Sequence, residues 1–272
     1  MAKSPRKPET ALTAEERQDK EAAQKGGSMP LTGHLKELRN RIAVVLITFV
    51  VCNVVLITRA QVIVGFLTDM GAAYGYKFIY ISPSELLLQQ FKAAITASFI
   101  LCVPLILYEI FAFMKPGLTK KEKAGIRFGL IFGVVFFAAG VFFAYKIVLP
   151  FMLQFLIKQG QGTDYVASVS IANYISFLLL IFTIFGFIFE MPLVSVILSR
   201  LGILTPKIMR RIRGGAIVAI FVVAAIITPP DIFSQVMVAV PMVLLYELSI
   251  GLCILFQRRK QAAQEAEEAE DD

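Results

Sequence analysis

Six apolar stretches, each bounded by charged or turn-forming residues, organise the chain between a polar start and an acidic end. They run Ile42–Thr58, Ala93–Met114, Phe128–Tyr145, Tyr174–Leu198, Gly214–Thr228 and Ile232–Phe256. A bilayer's hydrocarbon core is about 30 Å thick and takes about 20 apolar residues of helix to cross. The pattern therefore predicts an all-α integral membrane protein with six transmembrane helices. The fifth stretch holds 15 residues. At a rise of 1.5 Å per residue it spans about 22 Å, which predicts a locally thinned bilayer beside it.

Helix punctuation supports these boundaries. Ser82-Pro83-Ser84-Glu85 reads as a capping box with proline at the first helical position, so the second long helix starts in the loop ahead of the membrane. Thr119-Lys120-Lys121-Glu122 is a second capping box, opening the third helix, and Thr205-Pro206 caps the approach to the fifth. Residues 1–27 are rich in Lys, Glu, Ala and Gln, lack an apolar face and read as a polar, disordered tail. Residues 28–257 form the membrane domain. Residues 258–272, from Arg258-Arg259-Lys260 to the acidic end, form a charged tail. The first thirty residues are polar and do not read as a cleavable signal peptide. No repeat of fixed period is evident.

Composition agrees with the pattern: 57% of the 272 residues are hydrophobic, 17% are charged, and the mean hydropathy is +0.72, outside the balance of soluble domains. The net charge of +7 does not point to nucleic acid, because the Lys and Arg cluster at the ends of apolar runs, the topology signal of a membrane protein. Loops on the side of the N-terminus carry 22 basic residues and the opposite loops five, which puts both termini in the cytoplasm. Cys52, Cys102 and Cys253 all fall within apolar runs and suit neither a disulfide framework nor a metal site. No nucleophile elbow, metalloprotease motif, P-loop or dinucleotide turn occurs, so nothing points to an enzyme or a cofactor.

The candidate chemistry is acidic. Leu31, Leu35, Leu38 and Ile42 form an apolar stripe ahead of the first membrane segment, with Glu37 and Arg41 four residues apart beside it. That spacing suits an intrahelical ion pair worth about 0.2–0.5 kcal/mol, or else leaves an interfacial carboxylate for a cationic ligand. Glu122 either satisfies a backbone amide in its capping box or stands as a charged site among Lys120, Lys121 and Lys123. Glu190 lies inside an apolar run two residues before Pro192. A carboxylate at a helix centre costs on the order of 2.5–3.5 kcal/mol to insert, so Glu190 has either a function or a helix–helix hydrogen bond. Glu109, Gln235 and Glu247 are further buried polar candidates. His34 reads as a solvated helix residue, and Gly125, Gly129 and Gly133 as a packing seam.

Four blocks in order carry a resemblance. They are His34-Leu35-Lys36-Glu37-Leu38-Arg39; Pro104 through Phe113-Met114-Lys115-Pro116-Gly117-Leu118 with Glu122; Phe189-Glu190-Met191-Pro192; and Thr228-Pro229-Pro230-Asp231-Ile232-Phe233-Ser234-Gln235. Together they resemble TatC, the multispanning subunit of the twin-arginine protein translocase, from about Leu31 to Phe256. The resemblance implies a concave, glove-like bundle of six helices in the cell inner membrane. It also implies that twin-arginine signal peptides bind and that folded proteins are exported with TatA- and TatB-type single-span partners. The proton-motive force would drive transport, the subunit itself would consume no nucleotide, and several copies would assemble. The implied signal-peptide site is Glu37, Arg39, Phe113, Pro116, Leu118 and Glu122. Glu190 is the implied intramembrane acid, Gln235 the implied partner contact, and Pro229, Pro230 and Asp231 the implied external turn. Asn40 stands where the family commonly has a basic residue.

Two other classes compete. Glu109, Glu190 and Glu247 could line a proton or cation path in a small-solute transporter, although no inverted repeat or matched pair of broken helices shows. An intramembrane hydrolase is disfavoured by the absence of a catalytic pair.

Overall fold

The computed structural model describes residues 31–114, 120–159, 168–200 and 202–271; the expected tail over residues 1–27 lies outside them. Helix α1 spans Leu31–Ile57, so the amphipathic segment and the first apolar stretch are one rod. Helix α2 (Ala60–Ala72) follows directly. The chain then turns at Gly75, whose φ of 91° needs a residue without a Cβ, into strand β1 (Lys77–Ile79). Helix α3 (Pro83–Met114) runs 32 residues. Helix α4 (Lys120–Phe143) passes through a wide turn at Ala144–Val148 into α5 (Leu149–Gln159). Strand β2 (Ser168–Ser170) leads into α6 (Ile171–Phe189), which breaks at Glu190 and resumes as α7 (Met191–Arg200). The short α8 (Pro206–Arg211), α9 (Arg213–Ile227) and α10 (Ile232–Asp271) complete the order.

Among the described residues, five helical stretches are long and apolar enough to cross a bilayer: Gly33–Ile57, Pro83–Phe113, Gly129–Gln159, Ile171–Arg200 and Ile232–Arg258. The predicted fifth span is α9, whose 15 residues give the short rod expected from the sequence. Three features lie beyond the sequence reading. The third helix continues through Gln159 instead of ending at Tyr145. Its wide turn immediately precedes Pro150, which lacks an N–H and would clash with the carbonyl four residues back; a π-type turn absorbs that mismatch. The fourth helix is broken at Glu190, ahead of Pro192. The stretch after Arg59, read as loop, contains α2.

α6 is the central post. Ile175, Leu178, Ile181 and Phe185 are fully buried, at the three- and four-residue spacing of one helix face, and α6 packs on both α3 and α4. Lipid is as apolar as leucine, so these helices are held by close packing rather than by escape from water. Gly140 and Gly186 show how close: a Cβ on Gly140 would lie 2.5 Å from the Phe185 carbonyl oxygen, and one on Gly186 would lie 2.6 Å from the Phe137 ring. The glycine seam is real where it is described, since a Cβ on Gly129 would press on Phe111 and one on Gly133 on Leu193 and Leu107.

One end of the bundle is tied by polar contacts between loops. β1 and β2 pair in parallel, Lys77 opposite Ser168 and Ile79 opposite Ser170. Glu85 accepts from the Ile81 and Ser82 amides behind it, as a capping box requires, and also from the Ser170 hydroxyl and the Ala172 amide. Tyr76 donates to the Leu153 carbonyl and Tyr174 to that of Leu67. Burial pushes the Tyr76 phenol above its ordinary range.

Candidate functional site

At the opposite end α1 and α3 run antiparallel in close contact, and their polar residues meet in register. The His34 ring stacks on Phe113 with centroids 4.1 Å apart and planes 19° from parallel. Three residues after His34 comes Glu37, and four further Arg41, on the same face of α1. The ion pair that the Glu37/Arg41 spacing allows is present: Arg41 Nη2 and Nε donate to Glu37 Oε1 at 2.5 and 3.1 Å. Arg41 also reaches across to α3, where Nη1 donates to Glu109 Oε2 at 2.7 Å. Glu109 stands one turn before Phe113, so the two helices share a ladder of one aromatic rung and one charged rung. The charged rung is part-buried: side-chain exposure is 24% for Arg41, 25% for Glu37 and 14% for Glu109.

Sequence reading paired Glu37 with Arg41 and named Glu109 apart from them, because spacing along one helix carries no information about its register against another. Arg39 is exposed, as are Leu35 and Ile42 of the apolar stripe. Pro116 and Leu118 lie outside the described residues. Glu122 is the third residue of α4, within its first turn, and its side chain is outside the described residues.

Glu190 sits apart from this face. It is 6% exposed, and neither carboxylate oxygen has a hydrogen-bond partner among the described residues. Its own amide donates to the Phe187 carbonyl at 3.0 Å and its carbonyl accepts from the Val194 amide at 2.9 Å, so backbone bonding continues across the break. Oε2 lies 3.4 Å from where a Cβ on Gly133 would be, beside Leu107 and Leu193. Toward the loop-tied end, an apolar cleft of about 500 Å³ opens between α2, α3, α4 and α6, lined by residues such as Phe66, Ile100, Pro104, Phe137 and Phe182.

Thr228 to Gln235 forms the hairpin between α9 and α10. Thr228 ends α9 in extended conformation, as a residue before proline must, and Pro229 and Pro230 keep the helix from continuing. Asp231 then caps α10: its Oδ1 accepts from the Ser234 amide at 2.7 Å. The Gln235 side-chain amide donates to the Phe221 carbonyl of α9 at 3.0 Å. Glu247 pairs with Arg213 at the start of α9. Among the described residues no group of His, Cys, Asp and Glu could hold a metal ion.

The family described as Sec-independent protein translocase protein (TatC) matches residues 33–241. The chain is 37% identical over 244 residues to the Sec-independent protein translocase protein TatC of Aquifex aeolicus (strain VF5), covering 88% of this chain and 100% of that one. It is 33% identical over 243 residues to TatCy of Bacillus subtilis (strain 168), covering 89% of this chain and 96% of that one. A crystal structure of the twin arginine translocase receptor TatC is similar with a TM-score of 0.75 at 36% identity, over 82% of this chain and 98% of that chain.

Proposed function

The chain belongs to the TatC family of Sec-independent protein translocase subunits, and from that premise we propose that it binds twin-arginine signal peptides at the end of the bundle where α1 meets α3. It is a transport subunit and not an enzyme. Paired guanidinium groups of a signal would meet the carboxylates of Glu37 and Glu122. Guanidinium binds carboxylate through planar, forked hydrogen bonds that a lysine ammonium does not reproduce. Arg39 borders this face, Phe113 offers its ring to the apolar part of the signal, and Pro116 and Leu118 would add contacts to the peptide.

The observation that carries the reading is the α1–α3 ladder: this face already seats one guanidinium, that of Arg41, between two carboxylates, beside an aromatic platform. Around it we infer the rest of the machine. The 22-to-5 distribution of basic residues supports a multi-pass protein of the inner membrane with both termini in the cytoplasm. TatA- and TatB-type single-span helices would dock at Glu190 and Gln235, several copies would assemble, and the proton-motive force would drive folded cargo across. Pro229, Pro230 and Asp231 would form the external turn.

The test is a photoreactive amino acid at Phe113 in the membrane-embedded protein, offered signal peptides bearing RR or KK. Strong crosslinking to RR and weak crosslinking to KK is expected, with Glu122→Arg abolishing the RR signal in a protein that still inserts. Equal crosslinking to both peptides overturns the proposal.

A further inference from the structure

Arg41 occupies a seat with the chemistry that a signal arginine needs. Three of its nitrogens are engaged, Nε and Nη2 on Glu37 and Nη1 on Glu109. Among the described residues the two carboxylates pair with one cation, which leaves the rung with one excess negative charge. All three side chains keep part of their surface open, so an incoming cation can reach the seat without the helices parting. The aromatic rung of His34 and Phe113 stands one turn away on the same two helices.

We propose that Glu37 and Glu109 form a single guanidinium seat, that Arg41 fills it in the free chain, and that an arginine of the bound signal peptide takes it over by exchange. This rests on the twin-arginine reading and deepens it in two respects. It adds Glu109 to the binding residues, and it makes Arg41 an internal competitor. The exchange replaces one forked guanidinium by another, so the carboxylates are never left bare in a part-buried setting, where an unpaired charge is costly. A lysine cannot span both carboxylates from a single point charge, so exchange discriminates RR from KK even though Arg41 itself supplies no contact to the peptide. Released Arg41, with its long stem, can turn its head toward the water.

The test measures binding of fluorescent RR and KK signal peptides to the full chain in lipid nanodiscs, for the parent, Arg41→Gln, Arg41→Lys, Glu109→Gln and the Arg41→Gln/Glu109→Gln pair. Removing the competitor with Arg41→Gln is expected to tighten RR binding about tenfold, the scale of one charge-assisted hydrogen bond, while KK binding gains far less. Glu109→Gln is expected to weaken RR binding about tenfold on the same scale and to cancel the gain in the paired variant. If Arg41 merely holds α1 against α3, Arg41→Gln weakens both peptides alike, and the exchange is overturned. Where Arg41→Gln fails to insert, Arg41→Lys decides: a rise in the RR-to-KK affinity ratio supports exchange, and an unchanged or lower ratio overturns it. Normal RR preference that is indifferent to Arg41 and Glu109 removes the seat but leaves the signal-binding function standing. Absence of any RR preference in the parent chain removes both.

Discussion

Glu85 and Ser170 stand 85 positions apart in the sequence and share a hydrogen bond of 2.5 Å. The same Glu85 carboxylate accepts from the Ile81, Ser82 and Ala172 amides, so one side chain caps α3, holds the loop before it and clasps the entry to α6. Ser170 contributes that one bond to Glu85 and its own weak cap on the Asn173 amide at 3.4 Å. Glu85→Ala is therefore expected to lower the thermal midpoint in detergent by more than Ser170→Ala, and to expose the β1–β2 loops to added protease. A larger loss for Ser170→Ala would mean that the carboxylate is not the clasp.

Three glycines differ in what surrounds them, and alanine at each should separate the cases. A Cβ on Gly140 meets a backbone oxygen at 2.5 Å, which cannot yield without moving α6. On Gly133 it meets the tips of Leu193 and Leu107, at 2.7 and 3.0 Å, which can rotate. On Gly251 it meets nothing within 4 Å. Gly140→Ala is expected to cost about 1–3 kcal/mol by overpacking and Gly133→Ala less. Gly251→Ala is expected to gain up to about 1 kcal/mol from helix propensity. Equilibrium unfolding of the three variants checks the order, and equal costs at Gly140 and Gly133 would refute it.

How far the sequence carried is plain from particular residues. The caps at Ser82–Glu85 and Thr205 and the end of the fifth apolar stretch at Thr228 were legible because each depends on neighbours in the chain. The Thr205 hydroxyl accepts from the Ile208 amide at 3.3 Å, as a cap should. α2 escaped notice because its 13 residues are too few to span a bilayer, and an apolar run of that length next to Arg59 fits a loop as well. The reach of Arg41 to Glu109 and the clasp of Glu85 on Ser170 depend on how separate elements dock, which no spacing encodes. Pro192 flagged a disturbance near Glu190, but a break and a gentle kink share that signal.

Asp231 tests whether the turn between α9 and α10 is held by a hydrogen bond or by charge. Its Oδ1 caps the Ser234 amide, while Oδ2 is buried with no partner among the described residues. Asp231→Asn keeps the accepting oxygen, and Asp231→Ala removes it. Losing an N-cap costs about 0.5–2 kcal/mol, so Asp231→Ala is expected to be destabilised by that amount and Asp231→Asn to unfold at or above the parent midpoint. If Asp231→Asn falls as far as Asp231→Ala, the negative charge itself has a partner that the turn geometry does not supply.

Glu190 makes the sharpest separation between stability and work. Its carboxylate is held among Leu107, Gly133 and Leu193 with both oxygens unpartnered among the described residues, a cost of about 1–3 kcal/mol or more when the group carries charge. Among the described residues nothing in the packing repays that cost. Filling the site with an apolar side chain of similar length should then make the isolated protein more stable, since an apolar replacement removes the unmet polar atoms without opening a cavity. Glu190→Leu is expected to raise the unfolding midpoint in detergent. The same variant is expected to lose export of RR-tagged folded cargo. A variant that is both destabilised and fully active would show that Glu190 serves the bundle and not the partner.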